Sequence, residues 1–285
     1  MNTASAGDVK TPAAFREDLD SPYPLTGAQR AFFRENGYIK PKSALSSQTL
    51  EFYGREITEQ VKRLNTQRLP MEKRDTYGKA FLQIMNIWTQ SAVVKEFVFG
   101  RKLARLAAEL MGVSGARLYH DQALYKEPGG GPTPWHADQF YWPVAGDNTV
   151  TAWIPLQNTP MEMGPLAFAP RSHRISVGRD VAISDDSEKL IAKTLRETQL
   201  ELVETPFELG EVSFHLGWTF HRAGANRSAA PRRVMTVIYL EEDARLIAPK
   251  HKNQQLDWDT WMPGVKIGEL VNSPLNPVLW SSRKP

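Results

Sequence analysis

His136-Ala137-Asp138 sets an imidazole and a carboxylate two residues apart. On an extended strand alternate side chains share a face, so both groups can aim at one point. A second imidazole brought in from a distant strand would complete a set of two histidines and one carboxylate. That set suits non-haem ferrous iron, because it leaves one net positive charge on the ion and open positions for a co-substrate and oxygen. The chain has six histidines: His120, His136, His173, His215, His221 and His251. His215 and His221 are the two candidates for the remaining ligand. The His-x-Asp pair stands between a glycine-rich loop, Gly129-Gly130-Gly131, and an aromatic run, Phe140-Tyr141-Trp142. Downstream, Arg232-Arg233 supplies guanidinium groups, whose planar fork grips a carboxylate through two parallel bonds. A hairpin closed over residues 222–231 would set His221 opposite Arg232, with paired Cβ atoms about 5 Å apart. Arg232 would then reach past the metal to an acid, with Arg233 on the other face as its alternative.

The elements that must carry these groups change character along the chain. Residues 1–24 are rich in Ala, Ser, Asp and Pro without periodicity, and are expected to form a mobile tail. Thr26 is an N-cap and Gly37 a stop for a first helix. Leu50, Tyr53, Ile57 and Val61 predict a helix from Ser47 to about Leu64. A third is expected over 91–111, with Leu103, Leu106, Ala107 and Leu110 as its stripe. Short strands follow at 116–126, 149–156, 166–169, 200–204, 211–214 and 233–240. A charged helical insertion interrupts them at 184–198. On the 149–156 strand, Val150, Ala152 and Ile154 share one face and Thr151 and Trp153 the other. Helices first and strands after predict one domain over 25–285, a mainly β barrel with flanking helices and a core from about 116 to 240.

Composition narrows the function. A net charge of +3 over 285 residues, with basic residues interleaved with acids, argues against a nucleic-acid partner. No apolar run reaches membrane-spanning length. The absence of cysteine excludes disulfides and thiolate ligands and fits a reducing cytoplasm, where ferrous iron is available. The partner is expected to be a small molecule, and the chain a monomer or homodimer.

Five segments in order carry a resemblance: Thr133 to Gln139, Thr151 to Leu156, Gly164 to His173, His221 to Ser228, and Pro231 to Arg233. Together with Thr26 to Tyr38, which is similar to the family's opening helix, they resemble the phytanoyl-CoA dioxygenase family of iron(II)/2-oxoglutarate oxygenases. The resemblance implies a double-stranded β-helix of the jelly-roll, cupin-like kind. It implies Fe(II), 2-oxoglutarate and O2 as cofactors and co-substrates, and hydroxylation as the reaction. It selects His221, with His136 and Asp138, as the metal and catalytic set, and Arg232 as the 2-oxoglutarate arginine. Gln83, Gln122, Thr151 and Trp153 are implied as neighbours of the co-substrate. Related halogenases replace the acid with a small residue, so Asp138 implies hydroxyl transfer. Phe140, Tyr141, Trp142, Trp218, Met85 and Trp88 lie near these segments and are taken as the substrate wall, for an apolar or partly apolar natural-product or lipid-like molecule. The competing reading is a cupin-like barrel that binds metal and acts as an isomerase or binding protein. Arg232 discriminates, because only the oxygenase needs a buried carboxylate clamp.

Overall fold

The computed structural model describes residues 11–283. Helices lead, as the sequence pattern predicts. In α2 (Gly27–Asn36), Thr26 and Gln29 form a reciprocal capping box, and Gly37 closes the helix at φ 75°. The next long helix (Ser47–Leu64) is capped by Ser46 and buries Leu50, Tyr53, Ile57 and Val61 as one stripe. Two expectations need correction. Residues 13–20 are not tail but helix α1 (Ala13–Asp20), which buries Leu19 and is tied down by a 2.6 Å bond from Lys102 Nζ to Asp18 Oδ1. The rest of the expected tail, 1–10, lies outside the described residues. The helix expected over 91–111 is two, Ala92–Val98 and Arg101–Met111. Gly100 separates them where α1 comes close: a Cβ there would lie 3.1 Å from the Leu19 Cβ.

The strands are β1 (Tyr38–Ile39), β2 (Leu82–Met85), β3 (Gly115–Lys126), β4 (Thr133–His136), β5 (Thr149–Pro155), β6 (Leu166–Phe168), β7 (Val203–Glu204), β8 (Ser213–Leu216), β9 (His221–Ala223), β10 (Arg232–Glu241) and β11 (Val278–Ser281). They form two antiparallel sheets. The larger runs β1-β8-β5-β10-β3-β11, with β2 also on β3; the smaller runs β4-β9-β6-β7. This is the jelly roll. Its strands overrun the expected 116–240 core, since β1, β2 and β11 join from outside it.

Period-two alternation explains how the sheet serves both a core and a site. On β5, Val150, Ala152 and Ile154 face outward with Met235 and Val237 of β10, into the main apolar core packed under the helices. Thr151 and Trp153 face inward, toward the smaller sheet. On β10 the inward set is Arg232, Val234, Thr236 and Ile238. The expected insertion helix, Asp185–Glu197, is capped by Ser184 and packs Ile191 and Leu195 against Trp135, Ala137 and Phe220, on and beside the strands of the smaller sheet. It thus closes the far side of the strands that carry the histidines.

Candidate active site

His136 ends β4, and Asp138 opens a short 3-10 turn rather than continuing the strand. The two still share a face, because Ala137 between them is extended at φ −125°, ψ 129°. His221 opens β9 in register with His136. The rings lie 4.1 Å apart, centroid to centroid. One donor atom from each of His136, Asp138 and His221 lies within 4.8 Å of the others, the spacing of ligands around one ion. Asp138 Oδ1 is 3.6 Å from His136 Nε2 and 3.5 Å from His221 Nε2.

The surroundings orient each donor. His136 Nδ1 is 2.7 Å from the Pro134 carbonyl, and His221 Nδ1 is 2.9 Å from that of Thr219. A carbonyl accepts only, so Nδ1 carries the proton and Nε2 turns its lone pair to the shared point. Burial lowers both imidazoles to about 4, so they are neutral at pH 7 and ready to ligate. Asp138 is held on its other oxygen. Thr151 donates to Oδ2 at 2.8 Å, and His215 Nε2 lies 3.2 Å from the same atom. The three histidines beside it outweigh its burial and hold the carboxyl well below the usual range. His215 therefore touches the carboxylate and positions it, while His221 faces the metal point.

Arg232 starts β10, is 2% exposed, and lines the same cavity. Nη1 donates to the Gly164 carbonyl at 2.5 Å, its guanidinium lies 5.4 Å from the Trp153 ring centroid, and Nε has no partner. No carboxylate pairs with it among the described residues. Arg233 alternates outward and donates to Gln157 Oε1. The expected hairpin is wrong, however. Strand β9 pairs with β4 and β6, whereas β10 pairs with β3 and β5. His221 and Arg232 belong to opposite sheets and meet across the barrel interior.

Sequence reasoning missed Lys126. It lies opposite Arg232 in the β3–β10 register and is fully buried. Its amine nitrogen donates to the Gly131 carbonyl and lies 3.3 Å from Thr133 Oγ1. Burial, then the neighbouring Arg232 charge, lowers it to about 6, so it is largely neutral at pH 7. The pairing with Arg232 could have been read only from the register of the two strands.

The cavity encloses about 540 Å³. Gln83, Gln122, Thr151 and Trp153 line it, as do Met85, Tyr141 and Trp142. Three of the aromatic residues taken as substrate wall do not. Phe140 is buried and stacks on His251 at 4.2 Å. Trp88 packs against Phe99 in the outer core. The Trp218 indole donates to Asp147 at 2.8 Å beneath Arg179. An aromatic side chain signals burial, but not the face on which it is buried. What sequence reasoning missed is the opposite wall, the helix Lys252–Trp261, which contributes Asn253, Asp257, Thr260 and Trp261.

Residues 33–234 match the model of the phytanoyl-CoA dioxygenase family. The chain belongs to that family. A probable alpha-ketoglutarate-dependent hypophosphite dioxygenase of Stutzerimonas stutzeri is 25% identical over 232 residues, 76% of this chain and 79% of that protein. The carbocyclase SnoK of nogalamycin biosynthesis superposes with a TM-score of 0.74 at 24% identity, over 90% of this chain and 99% of its own. EctD from S. alaskensis, solved with 2-oxoglutarate and 5-hydroxyectoine, gives 0.66 at 18% identity, over 88% and 86%. The two structural likenesses carry the fold; the family carries dependence on iron and 2-oxoglutarate.

Proposed function

We propose that the chain is an iron(II)/2-oxoglutarate-dependent hydroxylase of a small organic molecule. His136, Asp138 and His221 hold the ferrous ion, and Arg232 holds the distal carboxylate of 2-oxoglutarate. The observation that carries this reading is Arg232: a buried guanidinium, its Nε unpaired, opening into the cavity that holds the histidines. A buried cation without a counter-charge is costly, and a dicarboxylate reaching in from the metal supplies one. A cupin-like isomerase has no use for that clamp.

When bound, the iron and 2-oxoglutarate supply the oxidising power that lets O2 attack an unactivated C–H bond. The chain's own residues do the rest. Thr151 and His215 fix one oxygen of Asp138 so that the other faces the metal point. Gln122, Thr236 and Trp153 wall the path between that point and Arg232. The overall conversion takes R–H, 2-oxoglutarate and O2 to R–OH, succinate and CO2. Asp138 fills the position a halide would need, which favours hydroxyl transfer over halogenation.

The test is a screen of small metabolites with iron-reconstituted protein under ¹⁸O₂, reading succinate and product mass together. Succinate release coupled to one ¹⁸O atom in the product is expected. Chlorinated product, succinate with an unoxygenated product, or isomerisation without succinate would each overturn hydroxylation.

A further inference from the structure

The helix Lys252–Trp261 lies beyond the segment matched by the family, yet it closes one side of the cavity. Asn253, Leu256, Asp257, Thr260 and Trp261 fall at i, i+3, i+4, i+7 and i+8, one face of the helix, and all five line the cavity. A helix packed on a barrel normally turns its apolar face inward. This one turns in a carboxylate, an amide and a hydroxyl.

The helix is held firmly in that pose. His251 caps its first turn, Gln254 Nε2 donates to the Phe140 carbonyl at 3.1 Å, and Trp258 Nε1 donates to the Val265 carbonyl at 2.9 Å. Asp257 Oδ2 accepts a 2.8 Å bond from Tyr119. No other described group bonds to that carboxylate, and burial raises it to about 7, the sign of an acid lacking a counter-charge. The rings of Tyr77, Tyr141, Trp142 and Trp261 line the same cavity. His120, buried against Trp261, is held at about 3 and stays neutral. Among the described residues, the only lysine or arginine lining the cavity is Arg232. It pairs in register with Lys126, whereas Ile238, six residues on, pairs with His120, so Arg232 stands about 20 Å along the ladder from this end.

A carboxylate in a cavity walled by aromatic rings, with no lysine or arginine paired to it among the described residues, is the chemistry that recognises an ammonium group, through an ion pair and ring faces together. Resting on the oxygenase reading, we infer that Asp257 selects a substrate bearing a protonated amine, and that anionic substrates are rejected. The family-matched segment sets the reaction, and the helix beyond it sets the substrate.

The test uses protein loaded with Fe(II) and 2-oxoglutarate, without oxygen, and a panel of matched triplets. Each triplet carries an ammonium, a hydroxyl or a carboxylate on one skeleton; tryptamine, tryptophol and indole-3-propionate form the first. Binding is read by calorimetry. At least one skeleton is expected to bind as the ammonium tenfold or more tighter than as the alcohol, with the carboxylate weakest. Asp257→Asn is expected to erase that preference while 2-oxoglutarate binds as before. Asn keeps an acceptor for Tyr119, and an unchanged melting temperature with intact 2-oxoglutarate binding certifies the fold. Should the variant misfold, Asp257→Ser replaces it in the same comparison. A panel with no ammonium-selective skeleton, a preference for carboxylates, or an ammonium preference that survives the substitution overturns the inference. Failure of the oxygenase reading would appear separately, as wild-type protein that does not bind 2-oxoglutarate.

Discussion

Replacing Arg232 by methionine separates a co-substrate clamp from a structural arginine, because the two roles predict opposite effects on stability. Burial lowers the guanidinium from 12.5 to about 9. At 1.36 kcal/mol per decade, that is on the order of 5 kcal/mol to keep the charge buried. Against it stands one bond to the Gly164 carbonyl, worth about 1 kcal/mol, or up to about 3 if the carbonyl is left unpaired. Arg232→Met, similar in length but uncharged, is therefore expected to leave ligand-free stability unchanged or raised. The loss appears on binding. A buried charge pair is worth roughly 2–5 kcal/mol, so the dissociation constant for 2-oxoglutarate should rise from about 30-fold to several thousand-fold. Anaerobic calorimetry with Fe(II)-loaded protein measures the affinity, and urea unfolding of the metal-free protein measures the stability. Binding within threefold of wild type, or a stability loss above about 3 kcal/mol, would show that Arg232 is a strut and not a clamp.

His221→Ala is expected to abolish stoichiometric iron, whereas His215→Ala, which only unseats Asp138, weakens iron by about 10–100-fold; iron retained in the first variant and lost in the second reverses the two roles. Lys126, at about 6 when folded and near 10.5 when unfolded, carries a penalty that is full below pH 6 and fades as pH rises toward 10.5. Wild type should therefore gain on Lys126→Met by up to about 1.4 kcal/mol per pH unit between 6 and 10.5, and parallel unfolding free energies at pH 7 and 9 would refute this. Gly164 sits at φ +67° with Gly224 O only 2.1 Å from where a Cβ would stand, so Gly164→Ala is expected to cost at least about 2 kcal/mol and to loosen the carbonyl gripping Arg232. Gly112→Ala, at φ +73° with open space around it, should cost about 1 kcal/mol; equal melting temperatures for the two variants would remove the steric argument.

What could be read from the sequence follows how local each constraint is. His136 and Asp138 share a face by the two-residue period, and this holds although Asp138 has left the strand, because one extended residue, Ala137, suffices. The same period places Thr151 and Trp153 inside and Ile154 outside, and separates Arg232 from Arg233. Helix ends were legible where a side chain caps its own turn, as at Thr26 and Ser46. Helix α1 was not, since it buries few apolar groups and is fixed by Lys102, 84 residues away. The His221–Arg232 hairpin failed for a related reason. Ten intervening residues look like a turn, but a jelly roll sends consecutive strands to opposite sheets, and no residue records which sheet it joins.

The helix Lys252–Trp261 marks the limit of periodic reasoning. An amphipathic stripe reveals a helix only when the buried face is apolar, and here the face turned inward carries Asn253, Asp257 and Thr260. Such a helix reads as a solvated surface, and Asp257 as one charge among many. The features that hide it are those a ligand would use: an unpaired carboxylate oxygen, aromatic walls, and no lysine or arginine paired to it among the described residues. The residues proposed for iron and co-substrate, His136, His221 and Arg232, sit on strands, and Asp138 is one extended residue beyond one, so alternation fixes their direction in advance. The proposed substrate end is built by a helix whose direction is set by contacts from Phe140 and Tyr119, both remote in sequence, and from nearby Val265. The iron-site spacing can therefore be expected from local sequence in this chain, whereas the polar wall of the cavity appears only once those tertiary contacts have turned that face inward.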